Sequence, residues 1–312
     1  MVDGNKQWKG WLYLSPALLL LLVFTVWPIF NTVRMAFSNG YEMAKELNGT
    51  VFSIGFENFE KVIKFPLFLD CLKTTAILCV VTVPLSTLLA LFIAVCLNSI
   101  KPLSKLYQTV FFLPYVTNSI AIGMVFAAMF NVVSTGDQVV NAGIINTLLS
   151  WFGVTEISDP IRWVSTGSTY WNNIFVMIVY IVWNALPFKI LILLGGLQSV
   201  NKQYYDAAKV DGTSRSRVFW RITVPLLSPM ISYVVITGFI GGFKEYTSIV
   251  GVFGDKMGPA DNEYALQTMV GFIYQNIDKK QGVASAGALV LFCIILVITM
   301  INLYVSKKKV HY

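Results

Sequence analysis

Charge is scarce in this chain. Only 12% of its 312 residues are Asp, Glu, Lys or Arg against 56% hydrophobic, well below the roughly 25% charged content of an ordinary soluble domain. That excludes a chain folding in water around one core and makes the protein an integral membrane protein. One histidine, His311, leaves histidine catalysis and a histidine metal site without candidates. The four cysteines, Cys71, Cys79, Cys96 and Cys293, are far apart and lie mostly in apolar runs. With no CxxC spacing they read as small hydrophobic residues rather than zinc or redox ligands. No G-x-x-x-x-G-K-[ST] stretch occurs, so this chain lacks the phosphate loop that cradles a nucleotide. The spans also hold too few acids, bases and nucleophiles for an enzyme's convergent constellation.

What is present is a series of apolar runs. Residues 11–37, 73–97, 107–130, 174–197, 226–253 and 285–305 each approach or exceed the length that crosses a hydrocarbon core, about 20 helical residues. They predict an all-α fold of six transmembrane helices in one membrane domain over residues 1–312. The first run could be read as a signal peptide, but signal cores run only about 7–15 residues and further spans follow. Pro16 is expected in a first turn, Pro28 at a kink, and Pro84 as an interruption of the second span. Residues 38–72 and 254–283 read as polar loops, and 131–173 as a long weakly hydrophobic connection. Within it, 144–152 suits a short amphipathic helix on the membrane surface, with Trp151, Trp163 and Trp171 as interfacial anchors.

The net charge of +7 could suggest nucleic acid, but its placement points to membrane topology. The N-terminus, the 98–105 connection, residues 198–225 and the C-terminus carry twelve basic residues and only Asp3, Asp206 and Asp211 as acids. The alternate connections are longer and carry seven. The positive-inside rule puts both termini and residues 198–225 in the cytoplasm.

Residues 198–225 form a basic elbow between two spans. Asn201 can cap a short helix with Tyr204, Ala207, Ala208 and Asp211 on one face, the two alanines allowing close approach of another protein. Gly212 suits its left-handed end. Ser214 can cap a second helix with an apolar strip of Val218, Phe219 and Ile222, while Arg215, Arg217 and Arg221 can meet lipid phosphates or acidic groups. Pro225 marks the bend back into the membrane. A surface-bound amphipathic linker also fits this composition. A helix-turn-helix for DNA would fit the glycine turn, but not a tether between two spans.

Asp206-Ala207-Ala208, three further residues, Gly212, nine residues, Ile222, Thr223, Val224 and Pro225 resemble the "EAA" loop of bacterial ABC importer permeases. Asp206 stands for the family's Glu and Thr213 for its usual Ala. The segments at 14–30, 57–63, 111–126 and 282–292 are similar to the sugar-uptake branch, the first permeases of maltose and multiple-sugar importers. The resemblance implies a type I importer permease in the bacterial cell membrane. It implies as partners a second homologous permease, two ATPases that bind ATP and magnesium, and an extracytoplasmic solute-binding protein. It assigns ATPase coupling to Tyr204, Asp206, Ala207, Ala208, Asp211, Gly212, Ile222 and Pro225. Other solutes such as glycerol phosphate, or a membrane scaffold without transport, are the alternatives.

For the solute path, Tyr180, Trp183, Asn184, Pro187 and Phe188 share one stripe of the fourth span. Aromatic faces can stack on sugar C–H groups, and an amide offers donors and acceptors; packing against a partner permease would use the same stripe. Lys189 is expected to snorkel to the cytoplasmic interface. Glu245, beside Gly241-Gly242 and flanked by Phe243 and Tyr246, is expected at a locally unwound turn lining a cavity, with Lys244 pointing elsewhere.

Overall fold

A computed structural model describes residues 7–100, 104–135 and 138–309. Asp3, Lys6, Lys101 and His311 lie outside the described residues, as do the side chains of Lys105, Lys308 and Lys309. The chain divides into two compact units, residues 1–68 with 272–293, and residues 69–271 with 294–312.

In the first unit α1 (Gln7–Leu21) and α2 (Trp27–Phe37) are joined by a π-helical turn, Leu22–Val26. Pro16 lies in the interior of α1 rather than its first turn. Pro28 sits just after the π turn, inside one continuous helix from Trp8 to Phe37; the irregularity expected there takes the form of the wider π turn, which accommodates the N–H that proline lacks. Two short helices follow, α3 (Met43–Leu47) and α4 (Glu57–Ile63). This stretch is more than a polar loop. Asn58 is fully buried, its Nδ2 donating to the carbonyls of Ala36 at 3.1 Å and Ser38 at 2.6 Å while its Oδ1 accepts from Gly40 N–H. Arg34 pairs with Glu46 at 2.8 Å, and the Tyr41 hydroxyl donates to the same carboxylate. The Arg34 hydrogen bond, with that of Tyr41, holds Glu46 below the usual carboxylate range.

The second unit is built on α5 (Phe68–Ser99) and α9 (Tyr170–Ser199). Both run unbroken through their prolines, Pro84 and Pro187, so the expected interruption at Pro84 does not occur. The third apolar run is the one that breaks. It comprises α6 (Ser104–Phe112), a 3₁₀ turn at Leu113–Val116 and α7 (Ser119–Phe130), with a 96° bend across the break. Pro114 opens the 3₁₀ turn, and Asn118 then starts a fresh helix, its Oδ1 accepting from Ile120 N–H at 2.8 Å. An Asn cap satisfies an N–H that a continuous helix would have bonded.

The long connection contains an antiparallel hairpin, β1 (Val133–Thr135) and β2 (Gln138–Asn141), pairing Ser134 with Val139. The helix expected at 144–152 is α8 (Gly143–Trp151). Trp163 is not an interfacial anchor: it packs on Phe130 and donates from Nε1 to the buried Asn146. Ile145 of α8 faces the core, while Ile144, Leu148, Trp151 and Phe152 are exposed. No charged residue occurs from 138 to 155. A surface helix facing water carries polar residues outward; this one is apolar on both sides, so its outer face belongs in an apolar medium. A nitroxide at Trp151→Cys in liposomes is therefore expected to collide with oxygen in preference to a water-soluble nickel chelate. The reverse preference would put α8 in water.

The elbow holds α10 (Lys202–Val210) and α11 (Arg215–Val218), and a π turn at Phe219–Thr223 leads into α12 (Val224–Gly242). Residues 215–242 form one continuous apolar helix. Pro225 is in the first turn of α12, and no bend back into the membrane occurs there. The fifth span ends at Gly242 instead of 253, and α13 (Thr247–Phe253) is separate. The expected polar loop beyond it buries Met257, Leu266, Gln267 and Thr268, and contains α14 (Met269–Ile277) before α15 (Gln281–Lys309). Among the described residues five helices are long and apolar enough to cross a membrane, and the bent α6–α7 pair makes six.

Two apolar clusters hold the second unit. One joins Leu78 of α5, Phe130 of α7, Met177 and Tyr180 of α9 and Ile249 of α13. The other joins Ala90, Leu91 and Ala94 of α5, Leu193 and Leu197 of α9 and Leu227 and Val234 of α12. Phe219 of the elbow packs against the second cluster, so one member of the apolar strip expected at Val218, Phe219 and Ile222 anchors the elbow to its own spans.

Candidate functional site

The first elbow helix, α10, begins after Asn201, whose Oδ1 accepts from Gln203 N–H at 3.0 Å, and is closed by Gly212 with φ +66°. Gly212 N–H donates to Lys209 O at 3.1 Å and Thr213 N–H to Ala208 O at 2.9 Å, the paired bonds of a Schellman cap. Ser214 has extended backbone angles but makes no side-chain cap bond. The expected face of four residues is divided. Ala208 is buried against the chain, beside Tyr205, whose hydroxyl shares a hydrogen bond with Thr223. Tyr204, Ala207 and Val210 are exposed, Val210 at 88%. Only Ala207 of the two alanines is open to another protein, and an outward valine, absent from the sequence expectation, lies one turn on. Asp206 pairs with Lys209 at 3.3 Å on the exposed side, an interaction worth little in water. Asp211 is exposed at the C-cap, and Ile222 and Pro225 are half-buried.

Deeper in the second unit lies a cavity of about 400 Å³, within the size range of small-molecule sites. Asn184, Phe188, Lys189 and Glu245 line it together with Gly241 and Gly242. Its hydroxyls come from Thr82 and Ser86 on α5, Thr117 and Ser119 at the α6–α7 break, and Thr237 on α12. The ring of Tyr115 stacks on Phe188 with centroids 5.8 Å apart. These hydroxyl and Tyr115 contributions escaped sequence reasoning. The Thr82/Ser86 spacing was a usable signal, and so was an Asn-Ser pair after a Pro-containing turn, which marks a helix start inside an apolar run.

Other residues of the stripe, Tyr180, Trp183 and Pro187, do not line it. Tyr180 is fully buried and donates to Ser119 O at 2.5 Å, while Asn184 Nδ2 donates to Ser119 Oγ at 3.0 Å. The Asn184 carbonyl oxygen is thereby left for a ligand hydroxyl. Trp183 touches Phe126 at 5.5 Å but is exposed and does not line the cavity; Phe243 is buried and Tyr246 packs into the first cluster. The helix does unwind at Phe243–Tyr246. Glu245 Oε1 accepts from Ser248 N–H at 3.2 Å in the first turn of α13, where a carboxylate is favoured by the helix dipole. Lys189 does not snorkel: it is 5% exposed, and its ammonium donates to Val83 O, Ser86 Oγ and Thr87 Oγ1 on α5. The cavity thus offers aromatic faces, hydroxyls, one amide and one carboxylate, a set suited to a polyhydroxylated solute. No cluster of His, Cys, Asp or Glu that could hold a metal occurs among the described residues.

The sequence model of one family, described as binding-protein-dependent transport system inner membrane component, matches residues 86–311. The chain is 28% identical over 302 residues to the lactose transport system permease LacF of Rhizobium radiobacter, covering 96% of this chain and 95% of that one. It is 29% identical over 306 residues to the arabinooligosaccharides permease AraP of Halalkalibacterium halodurans, covering 97% and 89%. With MsmF of Streptococcus mutans, a multiple sugar-binding transport system permease, identity is 26% over 304 residues, covering 97% of each. Among solved structures, a chain of a bacterial ABC transporter involved in importing alginate superposes with a TM-score of 0.76 at 18% identity, covering 97% of this chain and 96% of that one. The same type of transporter bound to an alginate pentasaccharide-loaded periplasmic protein gives 0.75 at 20%, with the same coverage. At these identities the likeness establishes the type I permease fold.

Proposed function

Because the chain belongs to the family of binding-protein-dependent transport system inner membrane components, we propose that it is the permease subunit of an ATP-driven importer that moves a sugar or oligosaccharide across the cell membrane. The observation that carries this reading is connectivity. The elbow is the link between α9 and α12, and both helices line the same cavity. From Phe188 at the cavity to Ser199 at the end of α9, a continuous helix covers about 16 Å at 1.5 Å per residue. A displacement of α10 is therefore delivered to α9 through only two extended residues, Val200 and Asn201, and along α9 to the cavity wall.

In this reading the termini and the elbow are cytoplasmic. Tyr204, Ala207 and Val210 meet an ATPase subunit, with Asp206 and Asp211 at the edge of the contact and Gly212, Ile222 and Pro225 shaping it. ATP and magnesium are bound by two such ATPases, a second homologous permease completes the path, and an extracytoplasmic solute-binding protein delivers the solute. Solute binding falls to Asn184, Phe188 and Glu245, with Tyr180, Phe243 and Tyr246 packed nearby and Trp183 on the exposed side of α9. Glycerol phosphate fits less well: a phosphate calls for free cationic donors, whereas the cavity's one cation has three hydrogen bonds to α5 and a carboxylate lines the same space.

Asn184→Ala and Phe188→Ala in the assembled importer are expected to lower labelled-oligosaccharide uptake by about tenfold each, the loss of about 1.4 kcal/mol from a hydrogen bond or an aromatic contact. ATPase association should persist. Trp183→Ala should lower the melting temperature and reduce uptake only through packing. Normal uptake by both cavity variants would move the solute path elsewhere.

A further inference from the structure

Lys189 is a buried cation that solute binding does not explain. Its side chain leaves α9 and reaches α5, with Nζ 3.2 Å from Val83 O, 2.7 Å from Ser86 Oγ and 3.0 Å from Thr87 Oγ1. A lysine ammonium has three donors, and three acceptors meet it. No carboxylate pairs with it among the described residues. Burying a charge this way is costly unless its hydrogen bonds are complete, so the contact is one that the fold holds closed. A third helix adjoins it. At Gly238 of α12 a Cβ would lie 3.3 Å from Lys189 Nζ and 3.0 Å from Val83 Cγ1. The glycine leaves the room in which α5, α9 and α12 meet around the ammonium.

The acceptors cluster around Pro84. Proline has no N–H to offer Val80 O, so the helix lacks one internal bond there. Lys189 therefore grips α5 beside the turn that lacks that bond. The elbow links α9 to α12 directly, but α5 is not adjacent to it in the chain, although Thr82 and Ser86 of α5 line the cavity. We propose that Lys189 is a positioning residue that transmits elbow displacement from α9 to α5, so that all three walls of the cavity move together. The inference rests on the importer reading, and it assigns Lys189 to coupling and not to contact with solute.

The test uses the complete importer in proteoliposomes, reading uptake and ATP hydrolysis side by side. Lys189→Met is expected to lower solute moved per ATP by about tenfold, within the usual range of coupling free energies, while ATP hydrolysis continues. Ser86→Ala with Thr87→Val removes two of the acceptors and keeps the lysine, and should reproduce part of the same loss. The triple variant should be no worse than Lys189→Met, because groups acting through one contact are not additive. Parental solute moved per ATP in either the lysine or the acceptor variant would overturn the proposal, as would fully multiplicative losses in the triple variant. Should Lys189→Met fail to assemble, the acceptor variant decides alone. Failure of the importer reading would look different: the parent protein would itself show no ATP-dependent oligosaccharide uptake.

Discussion

Gly212→Val is expected to abolish ATP-driven uptake while leaving membrane insertion intact. The backbone at Gly212 has φ +66°, and a Cβ built there meets nothing within 4 Å, so the cost is conformational and not steric. A β-branched residue held in the left-handed region loses about 1–3 kcal/mol. That is decisive for α10, which has nine residues; helices shorter than about 12–15 residues are marginal without outside support. Losing the cap releases the bonds from Gly212 N–H to Lys209 O and from Thr213 N–H to Ala208 O, and with them the last turn carrying Val210. A graded series tests the cause. Asn, which tolerates a left-handed C′ position, should retain most uptake, Ala less, and Val none above background. Co-purification with the ATPase should fall in the same order, whereas the amount of permease in the membrane should not. Parental uptake by Gly212→Val would remove the elbow from the coupling mechanism.

The elbow matters because of what lies at its two ends. Phe219 and Val200 pack on the cluster formed by α5, α9 and α12, and Ala208 and Tyr205 turn toward the chain itself. The short helix is seated on its own spans on one side and exposed on the other, as a contact that passes displacement requires. Its ion pair, Asp206 with Lys209, is solvent-exposed and contributes little; the apolar seat and the glycine cap give the elbow its shape.

The apolar spans and the elbow were legible in the sequence because their signals are local: run length, a cap residue, a glycine at helix end. The breaks were not. Prolines mark sites where a helix can fail, yet α5 and α9 continue through Pro84 and Pro187, while the sharp bend comes at Thr117–Asn118. What decides between these outcomes is whether neighbouring groups satisfy the local backbone, and such neighbours are distant in sequence. Lys189 shows the same limit: two of its acceptors lie 103 and 102 residues away, so its burial could not be read from hydropathy, and snorkelling was the expectation that local context supports. Chemical type and helical spacing pointed to Asn184, Phe188 and Glu245, which line one cavity, but the same stripe pattern also gathered the buried Tyr180 and the exposed Trp183, which do not.

Gly251→Leu is expected to collapse the cavity and the unit around it, the largest stability loss anticipated for a single substitution in this chain. A Cβ at Gly123 would lie 2.7 Å from Gly251 Cα, and a Cβ at Gly251 would lie 3.0 Å from Gly123 Cα and from Ile120 O. These are contacts of backbone with backbone. No rotamer change can relieve them, so α7 and α13 must separate, and the cost exceeds the about 1–3 kcal/mol typical of overpacking among side chains. The damage reaches the site directly. Ser119 begins α7 and accepts from Tyr180 and Asn184, and the Glu245 carboxylate accepts from the first turn of α13; both residues line the cavity, so separating the two helices moves them apart. Gly251→Leu should therefore lower both the melting temperature and uptake, with Gly123→Ala a milder version of the same failure. The two glycines share one crossing, so combining Gly123→Ala with Gly251→Ala should cost less than the sum of the single changes. Gly195→Ala in α9 is the matched control. Its Cβ would meet nothing within 4 Å, and alanine is favoured over glycine in a helix by about 1 kcal/mol, so its melting temperature should equal or exceed the parent's. A stable, transporting Gly251→Leu would mean that α13 does not pack against α7 in the working transporter.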